Sequence, residues 1–278
     1  MADKKEMPPA AGKQNRGQRE KLTINNSIIS ENFNKKYNLL CKEVYDLFFK
    51  PGEVVEIRIL NVYGTSALWN CKPAQGVVSG YFDNYQDFFT IVCMAISNHY
   101  YNINFTIQVI DPRLIGRACN KLIPAKATTS DRDVLYYRWI PIDIDPVRPS
   151  GISSSDSELQ KAIDLRNIIC EWIFDTTIYG RPSTAISGNG AHILIRLPED
   201  LPVPENNTKY IKNFLSLVHS QFSTNDVVID TTVYNPARIW KLYGTKAVKG
   251  NEVEGNEYRE AQVHRESFID SLGDYYAL

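Results

Sequence analysis

Apolar residues recur three and four apart between positions 30 and 49, where Phe33, Tyr37, Leu40, Val44, Leu47 and Phe48 fall on one face of a helix. Ser30 caps its start and Pro51-Gly52 stops it. The period then shortens. Strands are predicted over 54–60, with Glu56 and Arg58 on one face, over 76–81, and over 104–110 before Pro112, with an amphipathic helix over 84–97 between the second and third. Helix, strand, strand, helix, strand describes a compact α+β module. A short helix over 114–122 and a polar stretch over 126–131 lead to an apolar strand over 138–146, and the Pro-, Gly- and Ser-rich run 148–155 is a loop. Ser155 with Glu158 three residues on is a capping box, opening a helix whose apolar face is Leu159, Ile163, Ile169, Trp172 and Ile173. Short strands over 185–186 and 193–197 flank Ser187-Gly188-Asn189-Gly190, a sequence suited to a hairpin or tight loop. A helix over 207–222, a strand over 227–229 ending at Asp230, and a strand or turn over 238–244 complete the pattern.

Three stretches carry candidate chemistry. Side chains alternate along a strand, so in Ile142-Asp143-Ile144-Asp145-Pro146 the two carboxylates leave the sheet on the same side. Held together at the end of a buried strand they repel and lose hydration, and a hard divalent cation with oxygen ligands relieves both costs. An isolated Asp-x-Asp more often faces solvent and caps the next turn. In Ser187-Gly188-Asn189-Gly190-Ala191-His192, two glycines beside a histidine let backbone N–H groups and an imidazole approach an anion such as phosphate. Alone, that motif is also a plain hairpin with a core histidine. The third stretch runs from Val227 to Thr245 and again places an aspartate, Asp230, directly after an apolar strand. It then supplies Arg238 and Lys241, as a site for a metal-bound triphosphate requires.

The 278 residues are 43% hydrophobic and 23% charged with a net charge of −1, so nucleic acid would be held by a local patch rather than by a global basic field. Five cysteines, odd in number and without a C-x-x-C pair, argue for reduced intracellular thiols and against a zinc site or disulfide frame. No apolar stretch approaches the roughly 20 residues that span a bilayer, and the expected setting is the cytoplasm. Residues 1–24 have almost nothing to bury and read as a disordered leader.

Taken in order, Asp-x-Asp, Ser-Gly-Asn-Gly-x-His, and an apolar strand with Asp followed by Asn-Pro-x-Arg-x-x-Lys-x-x-Gly-Thr resemble the three signature motifs of the archaeo-eukaryotic primase superfamily. Within it the chain is similar to bacterial, phage and plasmid primase-polymerases. The likeness runs over about 106–267, including Thr128-Thr129-Ser130-Asp131 and His264-Arg265. It implies an N-terminal α/β module, about 25–125, packed on an RNA-recognition-motif-like catalytic module, about 126–278, with the active site in the cleft between them. It also implies Asp143, Asp145 and Asp230 as ligands of two Mg²⁺ or Mn²⁺ ions. Ser187, Gly188, Asn189, His192 and Lys241 become contacts to an incoming nucleoside triphosphate, with Arg238 a less certain one. Relatives often carry basic residues in the second motif where this chain has Asn189, which shifts the phosphate grip toward backbone amides and Lys241.

The expected activity is template-directed nucleotidyl transfer on single-stranded DNA, both starting and extending a strand. Starting one needs cationic groups for a second triphosphate. Arg148, His264 and Arg265 are the candidates, whereas Lys246 and Lys249 read as solvated. Tyr136, Tyr137, Tyr234 and Tyr243 are candidates for base stacking, against the commoner role of tyrosine in a core. The expected assembly is a monomer that could work beside a helicase or other replication or CRISPR-associated proteins. Three rivals stand beside this reading. They are a gap-filling polymerase that cannot prime, a catalytically silent nucleic-acid-binding module of the same fold, and a metal-dependent nuclease, against which Arg238 and Lys241 argue.

Overall fold

A computed structural model describes residues 42–69, 71–203, 205–249, 254, 256–264 and 267. The expectations for the leader, for the first part of the 30–49 helix and for Arg265 lie outside the described residues.

Residues 42–48 are helical and form α1, whose Phe48 is buried. β1 (Val55–Leu60) pairs with β2 (Val77–Phe82), and α2 (Tyr85–Ser97) follows, capped by Asn84, whose side chain accepts from Asp87 N–H. The strand expected over 104–110 is in fact two. β3 (Ile103–Thr106) pairs with β1, while β4 (Val109–Ile110) pairs with β6 (Val134–Pro146) in a different sheet. Buried Gln108 makes the crossing possible. Its amide accepts from the N–H groups of Arg138 and Trp139 at 2.8 and 3.2 Å and donates to Trp139 O at 2.8 Å, replacing the ladder bonds that the chain gives up there. The helix expected over 114–122 is a shorter 3-10 segment, Pro112–Arg117, and β5 (Ile123–Pro124) then joins β2.

After β6 comes α3 (Asp156–Thr176) with the predicted capping box, then the hairpin of β7 (Ser183–Ile186) and β8 (Ala191–Pro202), then α4 (Glu205–Phe222). α3 packs on β6 and β8, burying Leu159, Ile169 and Ile173, and α4 packs on β9 (Val227–Ile229) through Leu215 and Val218. β10 (Ile239–Lys241) pairs with β3, and β11 (Gln262–Val263) with β7. The result is a mixed α+β structure of two antiparallel sheets, ordered β10-β3-β1-β2-β5 and β11-β7-β8-β6-β4, with β9 beside the far end of β6.

Two of the crossings between the sheets, from β3 to β4 and from β9 to β10, meet where Thr106 pairs with Ile239. A core of aromatic rings fills that seam. Phe48 lies 4.9 Å from Phe105 of the first sheet, 5.3 Å from Trp139 of the second and 6.3 Å from Tyr243 beyond β10. Buried Arg138 clasps the same region, forking onto Glu53 at 2.6 and 2.7 Å and Asp200 at 3.0 and 2.7 Å, and donating to Phe48 O.

Candidate functional site

β6 is the axis of the site, and register does the assembly. Asp143 sits directly across from His192 on β8, while on the other side of β6 Ile144 and Asp145 pair with Ile229 and Val228 of β9. Asp230 therefore leaves β9 beside Asp143, and its N–H donates to Asp143 O at 2.9 Å. Ile142 and Ile144 are fully buried, and Asp143 and Asp145 emerge on the other face, as alternation requires. All three aspartates line one cleft of about 380 Å³, with Ser187, Asn189 and His192 from the hairpin and Arg238 and Lys241 from the crossing segment and β10.

The two strand aspartates are shifted in opposite directions. Burial works against ionisation of Asp143, but His192, then Lys249 and Arg238, hold its carboxyl below the ordinary value. Burial and the neighbouring Asp143 push the Asp145 carboxyl up, only partly offset by Arg148 and Lys249. Asp143 Oδ1 is buried without a hydrogen-bond partner, with His192 Nε2 3.4 Å away and not completing a hydrogen bond. The buried Nε of Arg238 is likewise unpartnered, though its terminal nitrogen donates to Thr232 Oγ1 at 2.7 Å. An acceptor and a donor left open in one cleft suit a cation and an anion respectively. Two adjacent carboxylates with a bare oxygen fit a hard divalent ion. Among the described residues, no three His, Cys, Asp or Glu side chains converge into a ready ligand set. Asp230 Oδ1 instead accepts from Thr232 N–H at 2.7 Å.

His192 is fixed from behind. Its ring lies 4.2 Å from the Trp240 ring at a tilt of 42°, and its Nδ1 lies 2.8 Å from the Tyr243 hydroxyl, which is 2.7 Å from Trp240 Nε1. All three residues are buried. An indole N–H can only donate, so the Tyr243 oxygen accepts from it and gives its own proton to His192 Nδ1. Whenever the ring is neutral, its remaining hydrogen then sits on Nε2, the nitrogen nearer Asp143. Burial and the Asp143 charge push the Tyr243 hydroxyl up, so it stays protonated and able to donate.

The glycine-rich turn serves a purpose beyond freeing amides. A Cβ on Gly190 would stand 2.4 Å from Ile144 O and 2.8 Å from Asp145 Oδ1, so only glycine lets the hairpin lie against the aspartate strand. Gly188 adopts φ of 100°, and a Cβ there would meet Ala247 at 2.5 Å. The Asn189 amide oxygen accepts from Ser154 N–H at 3.1 Å, and the Ser187 hydroxyl accepts from Gly190 N–H at 2.9 Å. The turn is thus braced by its own side chains.

Lys241 is half-buried in the cleft, its amine donating to Tyr101 O at 2.6 Å, and desolvation pulls it down to about 7. Lys249 is exposed, as its solvated reading from sequence expects, and also lines the cleft. So do Asn61, Asn102 and Asn104, for which the sequence carried no signal, because the β3–β10 pairing that brings them there is long-range. Arg148 and His264 do not line it. Arg148 donates to Pro146 O and Ile152 O and stands 3.5 Å from Asp145, while His264 packs against Thr184 and Arg166 at 2.9 and 3.2 Å. Of the four tyrosines, Tyr137 and Tyr243 are core residues, Tyr136 is exposed, and Tyr234 lies under the Lys212 ammonium.

Among the described residues no helix is long and apolar enough to cross a membrane. No protein-family model matches the chain, and no curated protein matches it.

Proposed function

We propose that this cleft performs DNA-dependent nucleotidyl transfer, making the chain a primase-polymerase of the archaeo-eukaryotic primase kind. One observation carries the reading: three motifs, each commonplace alone and separated by some forty residues, line a single cleft in which carboxylates, an oriented imidazole and cations meet. Asp143 and Asp145, with Asp230 at the rim of the same cleft, are the residues that would hold Mg²⁺ or Mn²⁺. Such an ion would activate a strand's 3′-hydroxyl and stabilise the leaving pyrophosphate.

The chain's own groups supply positioning and charge. The Nε2–H of His192 donates to a phosphate oxygen without needing to be protonated. Arg238 offers its open Nε–H, and Lys249 adds positive charge toward the aspartates. Lys241, whose amine desolvation holds near 7, is drawn to its protonated form by a bound anion. Gly190 keeps the hairpin close enough for His192 to face Asp143.

Incubation with single-stranded DNA, metal and nucleotides tests the proposal. Primer-free reactions should yield short products bearing a 5′-triphosphate, and a supplied primer should be extended. Extension alone would leave a gap-filling polymerase, template binding with neither product would leave a silent module, and release of nucleoside monophosphates would point to a nuclease.

A further inference from the structure

The cleft's aspartates and His192 come from the second sheet. The first sheet adds Lys241 of β10 and three neutral amides, Asn61 just after β1, Asn102 just before β3 and Asn104 within β3. Asn104 Nδ2 donates to Asn102 O at 3.1 Å and to Asn102 Oδ1 at 3.3 Å. That leaves the Asn104 oxygen and the Asn102 amino group available, and the exposed Asn61 side chain has no hydrogen-bond partner among the described residues. Asn61 and Asn102 also border a smaller recess of about 160 Å³ that continues past Tyr101 and His99, whose hydroxyl and Nδ1 lie 2.9 Å apart. Two of its lining residues, Asn61 and His99, hold left-handed φ angles of 61° and 62° without being glycine. Such conformations persist where the surrounding structure enforces them, and they concentrate at ligand sites.

We infer that this amide wall and its recess hold the nucleoside part of an incoming nucleoside triphosphate. The inference rests on the reading of the aspartates, His192 and Lys241 as a triphosphate site. An amide presents a donor and an acceptor side by side and carries no net charge. It therefore adds little for phosphate or metal, and complements the paired donors and acceptors of a base edge or the hydroxyls of a sugar. The ring-lined recess beyond suits a flat, largely apolar heterocycle.

Calorimetric titration of the full chain with Mg²⁺ compares a nucleoside triphosphate with inorganic tripolyphosphate, which has the charge and lacks the nucleoside. The variants are Asn61→Gly, which keeps the left-handed backbone free of strain, and Asn61→Gly with Asn102→Ala. Wild type should bind the nucleotide about tenfold more tightly than tripolyphosphate, the effect of one or two hydrogen bonds, and the double variant should lose that margin while binding tripolyphosphate unchanged. Unchanged melting temperatures establish that the variants are folded, and Asn61→Gly alone, at an exposed position, should lose part of the margin. Equal wild-type affinity for the two ligands, or variants that weaken both alike or neither, would overturn the inference and leave the triphosphate site standing. Wild type binding neither ligand would overturn the triphosphate reading, and this inference with it.

Discussion

With His192 held as its Nε2–H tautomer by the Tyr243 hydroxyl, Tyr243→Phe removes the restraint and leaves the ring volume unchanged. The ¹⁵N spectrum of His192 should change from one tautomer to a mixture, and nucleotide affinity should fall about fivefold, the effect of one misdirected hydrogen bond. A spectrum identical to wild type would refute the relay. The same substitution strands Trp240 Nε1, so stability should drop by about 1–3 kcal/mol. Lys241 makes a separate prediction. Because burial holds its amine near 7, a bound anion raises that value, and nucleotide binding between about pH 7 and 9 should take up a proton. Calorimetry in buffers of different ionisation enthalpy measures the uptake. Lys241→Arg, charged throughout, should show less uptake than wild type, and equal uptake would place the proton elsewhere.

At the scale of elements, the hairpin of β7 and β8 and the long strand β6 must touch at Gly190. Gly190→Ala pushes a methyl into Ile144 O and Asp145, which should cost about 1–3 kcal/mol and greatly reduce nucleotidyl transfer. Gly64→Ala, with open space around it, is the control and should be silent in both. The Arg138 clasp sets acid stability. Burial opposes ionisation, but Arg138 holds Asp200 down to about 2 and keeps Glu53 below its ordinary value. Their contribution is complete above about pH 6, where both carboxylates are ionised in the unfolded chain too, and is lost as pH falls toward 2. Urea midpoints across that range should fall steeply for wild type and less steeply for Asp200→Asn, which should already be weaker at pH 7. The elements themselves were largely legible, because α2, α3 and β6 carry caps and alternation in contiguous residues. The break between β3 and β4 was not. It depends on Gln108 reaching the backbone of residues some thirty positions away, and the only local hint was an amide inside an apolar run.

For the whole molecule, the three aspartates could be read from sequence since each ends or follows an apolar strand, yet their convergence is a property of register. β6 receives β8 on one side and β9 on the other, and the crossing from β9 to β10 then carries Arg238 and Lys241 onto the first sheet. Asn61, Asn102, Asn104 and Lys249 join the cleft with no motif to announce them, and Arg148 and His264 do not line it, being engaged by backbone carbonyls and by Arg166. If these motifs form one site, damage to any one should abolish the same chemistry. The most direct test measures pyrophosphate release on single-stranded DNA with Mg²⁺ or Mn²⁺ for wild type, Asp143→Asn, His192→Ala and Asp230→Asn, with template binding followed in parallel. Release by wild type that falls at least about hundredfold in every variant, with template binding retained, is the predicted result. Release that survives in any one of the three, or that wild type never shows with either metal, would contradict a single nucleotidyl-transfer site.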